Sequence, residues 1–199
     1  LSIIKDEIGV IRQKYADERR TEITADENDL EVEDLIADED VVITISHTGY
    51  IKRVPMDTYK SQKRGGKGIT GMTTKEEDFV EQLFITSTHN YLMFFTNNGK
   101  CYRVKVYDIP ETSRTSKGTA VVNLINIGND EKITAVISVK NFAEEKYLLA
   151  VTRHGYVKKT ILNEYDSSRK DGLIAINLEE GDELVKVALT DGKQELLLV

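Results

Sequence analysis

A single cysteine, Cys101, among 199 residues leaves no internal disulfide to form, which fits a reducing cytoplasm. It lies in an apolar/polar alternation and reads as a small core residue. No apolar run approaches membrane-spanning length, and the first residues carry no signal-peptide pattern, so no membrane partner is expected. The three histidines, His47, His89 and His154, are scattered, and no Cys/His cluster has metal-ligand spacing. A phosphate-cradling P-loop is excluded because Lys67 is followed by Gly68 rather than Ser or Thr. Leu30 and Glu31 spoil a calcium-loop reading of the acidic stretch from Asp26. No Ser/His/Asp or Cys/His nucleophile system is legible, so neither a metal centre nor a catalytic residue is assigned.

What the chain does have is segregated charge. The net charge of −7 argues against a polyanion partner until its distribution is read. Residues 17–40 hold twelve acids against Arg19 and Arg20, whereas residues 50–75 hold seven bases against Asp57 alone. A local cationic surface on an acidic protein follows. Ile4, Ile8, Ile11 and Tyr15 make one apolar stripe and predict a helix over 2–16, with Ser2 as its cap. Leu1 opens the chain and Glu195–Val199 reads as mid-strand, so both ends are expected to be internal to a larger protein.

The remainder repeats. Ile45-Ser46-His47-Thr48-Gly49-Tyr50-Ile51-Lys52-Arg53-Val54 aligns with Phe95–Val104 and with Val151–Thr160. Each is an apolar strand, a glycine-closed turn and an alternating strand with a basic exit, the pattern of a β-hairpin. A second glycine follows Gly49 and Gly99 after nineteen residues, at Gly68 and Gly118, and follows Gly155 after seventeen, at Gly172. Further strands are read at Val80–Ile85, Ile133–Ile137 and Leu184–Leu189. About four short strands per unit, in units that must stack to bury their faces, describe an all-β, propeller-like array of four-stranded blades behind a short N-terminal helix. Three units are present, with the start of a fourth at Glu195–Val199. The periodicity leaves open whether neighbouring units exchange strands.

The cations concentrate in Gln62-Lys63-Arg64-Gly65-Gly66-Lys67-Gly68, just after Lys60. Glycine lets a partner approach the main chain, and Lys and Arg neutralise phosphates without reading bases. An ordinary flexible surface turn reads the same way on composition alone. Other basic positions follow the repeat: Lys52, Arg53, Arg103, Lys105, Arg114, Lys117, Lys158, Lys159, Arg169 and Lys170. Stacked units place equivalent loops on one rim, where a curved cationic band suits a bent duplex. Lysines that protect edge strands from pairing are the competing reading. His47 and His154 read as turn residues that could also touch phosphate.

Gln62 to Gly68 resembles the GyrA box, the signature of the family of bacterial DNA gyrase A C-terminal domains, with Lys63 where the family has Arg. The resemblance runs through Glu33-Asp34-Leu35-Ile36 and Val41–Arg53, and back to Lys14–Ile23, similar to the end of the breakage-reunion region. It implies a helical tail over 1–23, an acidic linker over 24–40 and a partial six-bladed β-pinwheel over 41–199. It implies double-stranded DNA as partner, wrapped on a basic rim so that the holoenzyme can introduce negative supercoils. Lys63, Arg64 and Lys67 would be phosphate contacts, and the glycines would shape the loop. The N-terminal region of gyrase A and the gyrase B subunit would be further partners, in a bacterial, nucleoid-associated setting. ATP and Mg2+ would act through other domains, and the family's tyrosine nucleophile would lie outside this chain. A near-intact box favours gyrase over the related topoisomerase IV subunit, which stays the alternative beside a propeller-like protein-interaction scaffold. The acidic linker could compete with DNA for the rim, which deleting residues 24–40 would test.

Overall fold

The computed structural model describes residues 2–17, 21, 32–59, 78–128, 130–167, 172–195 and 197. They fall into two compact units, 1–35 and 36–199. In the first, the apolar stripe forms helix α1, Ser2–Tyr15, and Val32–Leu35 make one 3-10 turn. All of α1 is exposed, Ile4, Ile8, Ile11 and Tyr15 by 55 to 68%. Residues 24–31 of the expected acidic linker lie outside the described residues.

In the second unit each aligned hairpin forms as read. The first repeat contributes β1 (Asp40–Ser46), β2 (Tyr50–Pro55) and β3 (Val80–Ser87). The second contributes β4 (Tyr91–Thr96), β5 (Lys100–Lys105), β6 (Thr119–Ala120) and β7 (Ile133–Val139). The third contributes β8 (Tyr147–Thr152), β9 (Val157–Ile161), β10 (Leu173–Ile174) and β11 (Leu184–Thr190). The three hairpin turns close alike: Gly49 N–H donates to Ser46 O at 3.0 Å, Gly99 to Thr96 O at 2.9 Å and Gly155 to Thr152 O at 3.0 Å.

Sheet order decides what periodicity could not. The sheets run β3-β1-β2-β6, β10-β5-β4-β7 and β11-β8-β9, with every ladder antiparallel. Strand β6 belongs to the second repeat but completes the first sheet, and β10 belongs to the third but completes the second. The exchange has one register: Ala120 faces Tyr50 and Ile174 faces Lys100. Blades are thus joined by strand exchange as well as by packing, which is the pinwheel arrangement rather than one in which each repeat completes its own blade.

Packing follows the two-residue period of β4. Leu92 and Phe94 point into a core with Val41, Ile43, Ile45 and Ile51 of the first blade. Met93 and Phe95 point the other way, onto Leu148, Ala150, Leu162 and Val187 of the third. All four side chains are 0% exposed, so β4 is an unbroken apolar run because both its faces are covered. Burying each contributes about 1.5–3 kcal/mol. Cys101 sits in the second core, where burial pushes its thiol up to about 12 and leaves it inert.

Candidate nucleic-acid interface

The strand exchange carries a loop across each seam. Before β6 can join β2, residues 112–118 must run over the first blade, and Gly118 takes φ +81° where they turn in. A Cβ there would collide with the carbonyl oxygen of Ile51 and lie 2.9 Å from Lys52 Cβ. At the next seam Gly172 makes the equivalent approach, onto the ring of Tyr102, which a Cβ would meet at 2.8 Å. The second glycine of the second and third repeats is therefore a packing requirement of the seam.

Lys52 and Tyr102 hold the same place in their blades, paired across the hairpin with Thr44 and Phe94. The repeat pattern predicts Lys52 on the rim, but the structure places it in the interior, 0% exposed. Its ammonium donates to the carbonyl oxygens of Ser113 (3.4 Å), Arg114 and Ser116 (3.0 Å). These satisfy its three protons inside the protein, so it is not offered to a ligand. Burial, then the Arg114 charge, lowers its pKa from the usual lysine value. Tyr102 instead donates its hydroxyl to Glu131 at 3.0 Å, and Lys100 pairs with the same carboxylate at 2.8 Å. Burial raises the Tyr102 pKa, and Glu131 adds to that. Burial acts upward on Glu131 too, but its hydrogen bonds from Lys100 and Tyr102 outweigh it and hold the carboxyl below the ordinary value.

Arg53 and Arg103, next in line, tie seams together. Arg53 donates Nε–H to Ile109 O at 3.0 Å and lies 3.7 Å from Glu111. Arg103 reaches Asp166 at 2.5 Å and lies over the rings of Tyr91 and Phe142, at 4.8 and 5.0 Å. Both side chains are largely covered, 13% and 19% exposed, so both act first as cross-seam ties.

Other cations lie nearer solvent. Lys105 donates to His89 O at 3.0 Å and lies 3.9 Å from the centre of the Tyr91 ring. Lys117 rests 3.5 Å over Tyr50, and Lys159 lies 4.7 Å from the Tyr147 ring. Lys158 donates to Ala175 O at 2.8 Å. Arg114 is half-buried, whereas Lys158 and Lys159 are exposed. Lys60, Gln62–Gly68, Arg169 and Lys170 lie outside the described residues.

One correspondence joins the described loop to that motif. Arg64, Lys67 and Gly68 stand fifteen, eighteen and nineteen residues after Gly49; Arg114, Lys117 and Gly118 stand at the same offsets after Gly99. The second repeat thus keeps two cations and a glycine at the offsets of the first, and in the second that glycine is the seam glycine.

Two carboxylates that hold the hairpin turns carry no motif that singles them out in the sequence. Asp78 accepts from Thr48 N–H at 2.9 Å and Phe79 N–H at 3.0 Å, latching the first hairpin turn to the start of β3. Asp182 does the same for His154 and Glu183, at 2.9 and 2.8 Å. Burial raises the pKa of each, and the hydrogen bonds, led by Thr48 and by Thr152, win and leave both lowered. The matching offset before each last strand is the one signal that could have found them.

Strand-exchanged blades with basic seam loops define a propeller-like repeat domain of the pinwheel kind. The family model described as "DNA gyrase C-terminal domain, beta-propeller" matches residues 40–87, 90–140 and 146–191, one segment per blade, and the chain belongs to that family. It is 56% identical over 199 residues to the DNA gyrase A subunit of Clostridium acetobutylicum, covering 100% of this chain and 24% of that protein. It is 48% identical over 197 residues to its counterpart in Mycolicibacterium smegmatis, covering 99% and 23%. The chain thus spans about a quarter of the length of these relatives. Among solved structures, the C-terminal domain of DNA topoisomerase IV superposes with TM-score 0.68 at 34% identity, over 79% of this chain and 47% of that one. The DNA gyrase A C-terminal domain superposes with TM-score 0.60 at 28% identity, over 76% and 48%. No helix among the described residues is long and apolar enough to cross a membrane.

Proposed function

We propose that this chain binds double-stranded DNA by its phosphates and bends it along the blade rim, as the wrapping part of gyrase A. The observation that carries the reading is the paired loop: two repeats of a gyrase-family domain keep Arg, Lys and Gly at one offset, and in the second repeat they precede a strand that crosses a seam. Cations repeated at every blade neutralise successive phosphates along a curved path and need no base contact. Lys63, Arg64 and Lys67 of Gln62–Gly68 lead this contact set. Lys60, Arg114, Lys117, Lys158, Lys159, Arg169 and Lys170 extend it, with Lys105 at its edge.

On this reading the chain carries no chemical step. It presents a bent duplex to the N-terminal region of gyrase A, and with the gyrase B subunit, ATP and Mg2+ acting elsewhere the holoenzyme introduces negative supercoils in the bacterial cytoplasm. Residues 1–23 would be the tail of the preceding region and 24–40 a linker. The experiment is duplex binding by fluorescence anisotropy across a salt series, for the chain and for Lys63→Ala/Arg64→Ala/Lys67→Ala. Steep salt dependence that flattens by about 2.7 in log–log slope is expected, at about 0.9 per lost phosphate contact. Absence of salt-dependent binding by the parent chain would sink the reading and favour an interaction scaffold.

A further inference from the structure

A buried ammonium with no carboxylate partner among its hydrogen bonds calls for an explanation. Lys52 points its three donors at Ser113, Arg114 and Ser116, three carbonyls of one short loop. A trans peptide sets its N–H opposite its C=O, and no peptide bond among the described residues is cis. Carbonyls drawn inward onto Lys52 therefore turn the N–H groups of Arg114, Thr115 and Lys117 away from it. The side chains of Arg114 and Lys117 belong to the same peptide units. Neighbouring outward-facing N–H groups make an anion-binding concavity, and flanking cations strengthen it; Ser116 N–H, between them, stays inside and donates to Ser113 O at 3.1 Å.

We propose that Ser113–Gly118 is a phosphate-binding nest and that Lys52, which never touches the ligand, is the positioning residue that turns the loop inside out to make it. The ligand is a phosphodiester oxygen, held by the three amides together with Arg114 and Lys117. The identification of that phosphodiester as DNA rests on the function proposed above; the nest itself does not. Tyr102 has no ammonium to offer at the next seam, so the device belongs to the first seam among those described.

Two probes separate these statements, with amide resonances of the full chain as readout. Inorganic phosphate and a short mixed-sequence duplex are each titrated in. Shifts at Arg114, Thr115 and Lys117 with both support the nest and its DNA role. Shifts with phosphate alone support the nest and refute the DNA reading. Unmoved amides with both overturn the proposal. Lys52→Met then tests positioning. The expected result is at least tenfold faster amide exchange over 113–118 with the hairpin amides still protected. Duplex affinity should fall as far as in Arg114→Ala/Lys117→Ala, and combining the changes should weaken it no further. Unchanged exchange, or losses that add in full, overturns the positioning role. Should Lys52→Met fail to fold, the Nζ resonance of the parent chain decides: slow proton exchange supports the cradle and fast exchange refutes it.

Discussion

The two seams are built to one plan with different chemistry at the centre. At the first, an ammonium gathers three carbonyls beneath the crossing loop. At the second, an aromatic ring fills the same place, with Gly172 against its edge and its hydroxyl on Glu131. The strand register and the arginine ties are alike in both. The scaffold thus tolerates exchange of the central residue so long as the loop above still has a floor. What differs is the group beneath the crossing: an ammonium that holds three carbonyls at the first seam, and a ring that meets Gly172 at the second.

Removing what the seams share should cost most. Phe94→Ala opens the first core and is expected to cost about 3–5 kcal/mol, read as a lowered urea midpoint. Gly118→Ala and Gly155→Ala separate conformation from contact. Both positions have positive φ, but the space around Gly155 is open while Gly118 abuts Ile51. Gly155→Ala should cost about 1–2 kcal/mol from backbone strain, and Gly118→Ala clearly more, with amides 119 and 120 losing exchange protection. Tyr102→Phe removes a hydrogen bond to a carboxylate and should cost about 1.5–3 kcal/mol, a loss with no counterpart at the first seam. The smallest effect is expected in acid. Asp78 and Asp182 have lowered pKa values in the fold, so their contribution is complete above the ordinary carboxylate value of about 4. It is lost as pH falls through the folded values. A thermal melt series should show Asp182→Asn less stable than the parent at neutral pH, the gap closing as pH drops.

The hairpins were legible because alternation and turn glycines are local signals, and Ile43, Met93 and Leu149 recur in step with them. The exchange was not, because β6 and β10 are two residues each, too short to show a period. Gly118 and Gly172 were visible as repeating glycines, but the contacts that require them come from another repeat. Lys52 defeats a reading by pattern for a related reason. Lysine is almost never fully buried, and nothing in Ile51-Lys52-Arg53 announces three carbonyls 61 to 64 residues further along the chain. Arg103 shows the same limit, since Asp166 is distant in sequence.

The division of the cations into seam ties and phosphate contacts is tested most directly by the salt dependence of duplex binding in two variants. Arg114→Ala/Lys117→Ala should keep its melting temperature and flatten the log–log slope by about 1.8, two contacts at about 0.9 each. Arg103→Ala should leave the slope unchanged and melt earlier, having lost its tie to Asp166 and its stacking on Tyr91 and Phe142. A slope that falls for Arg103→Ala and holds for the loop variant would contradict the account.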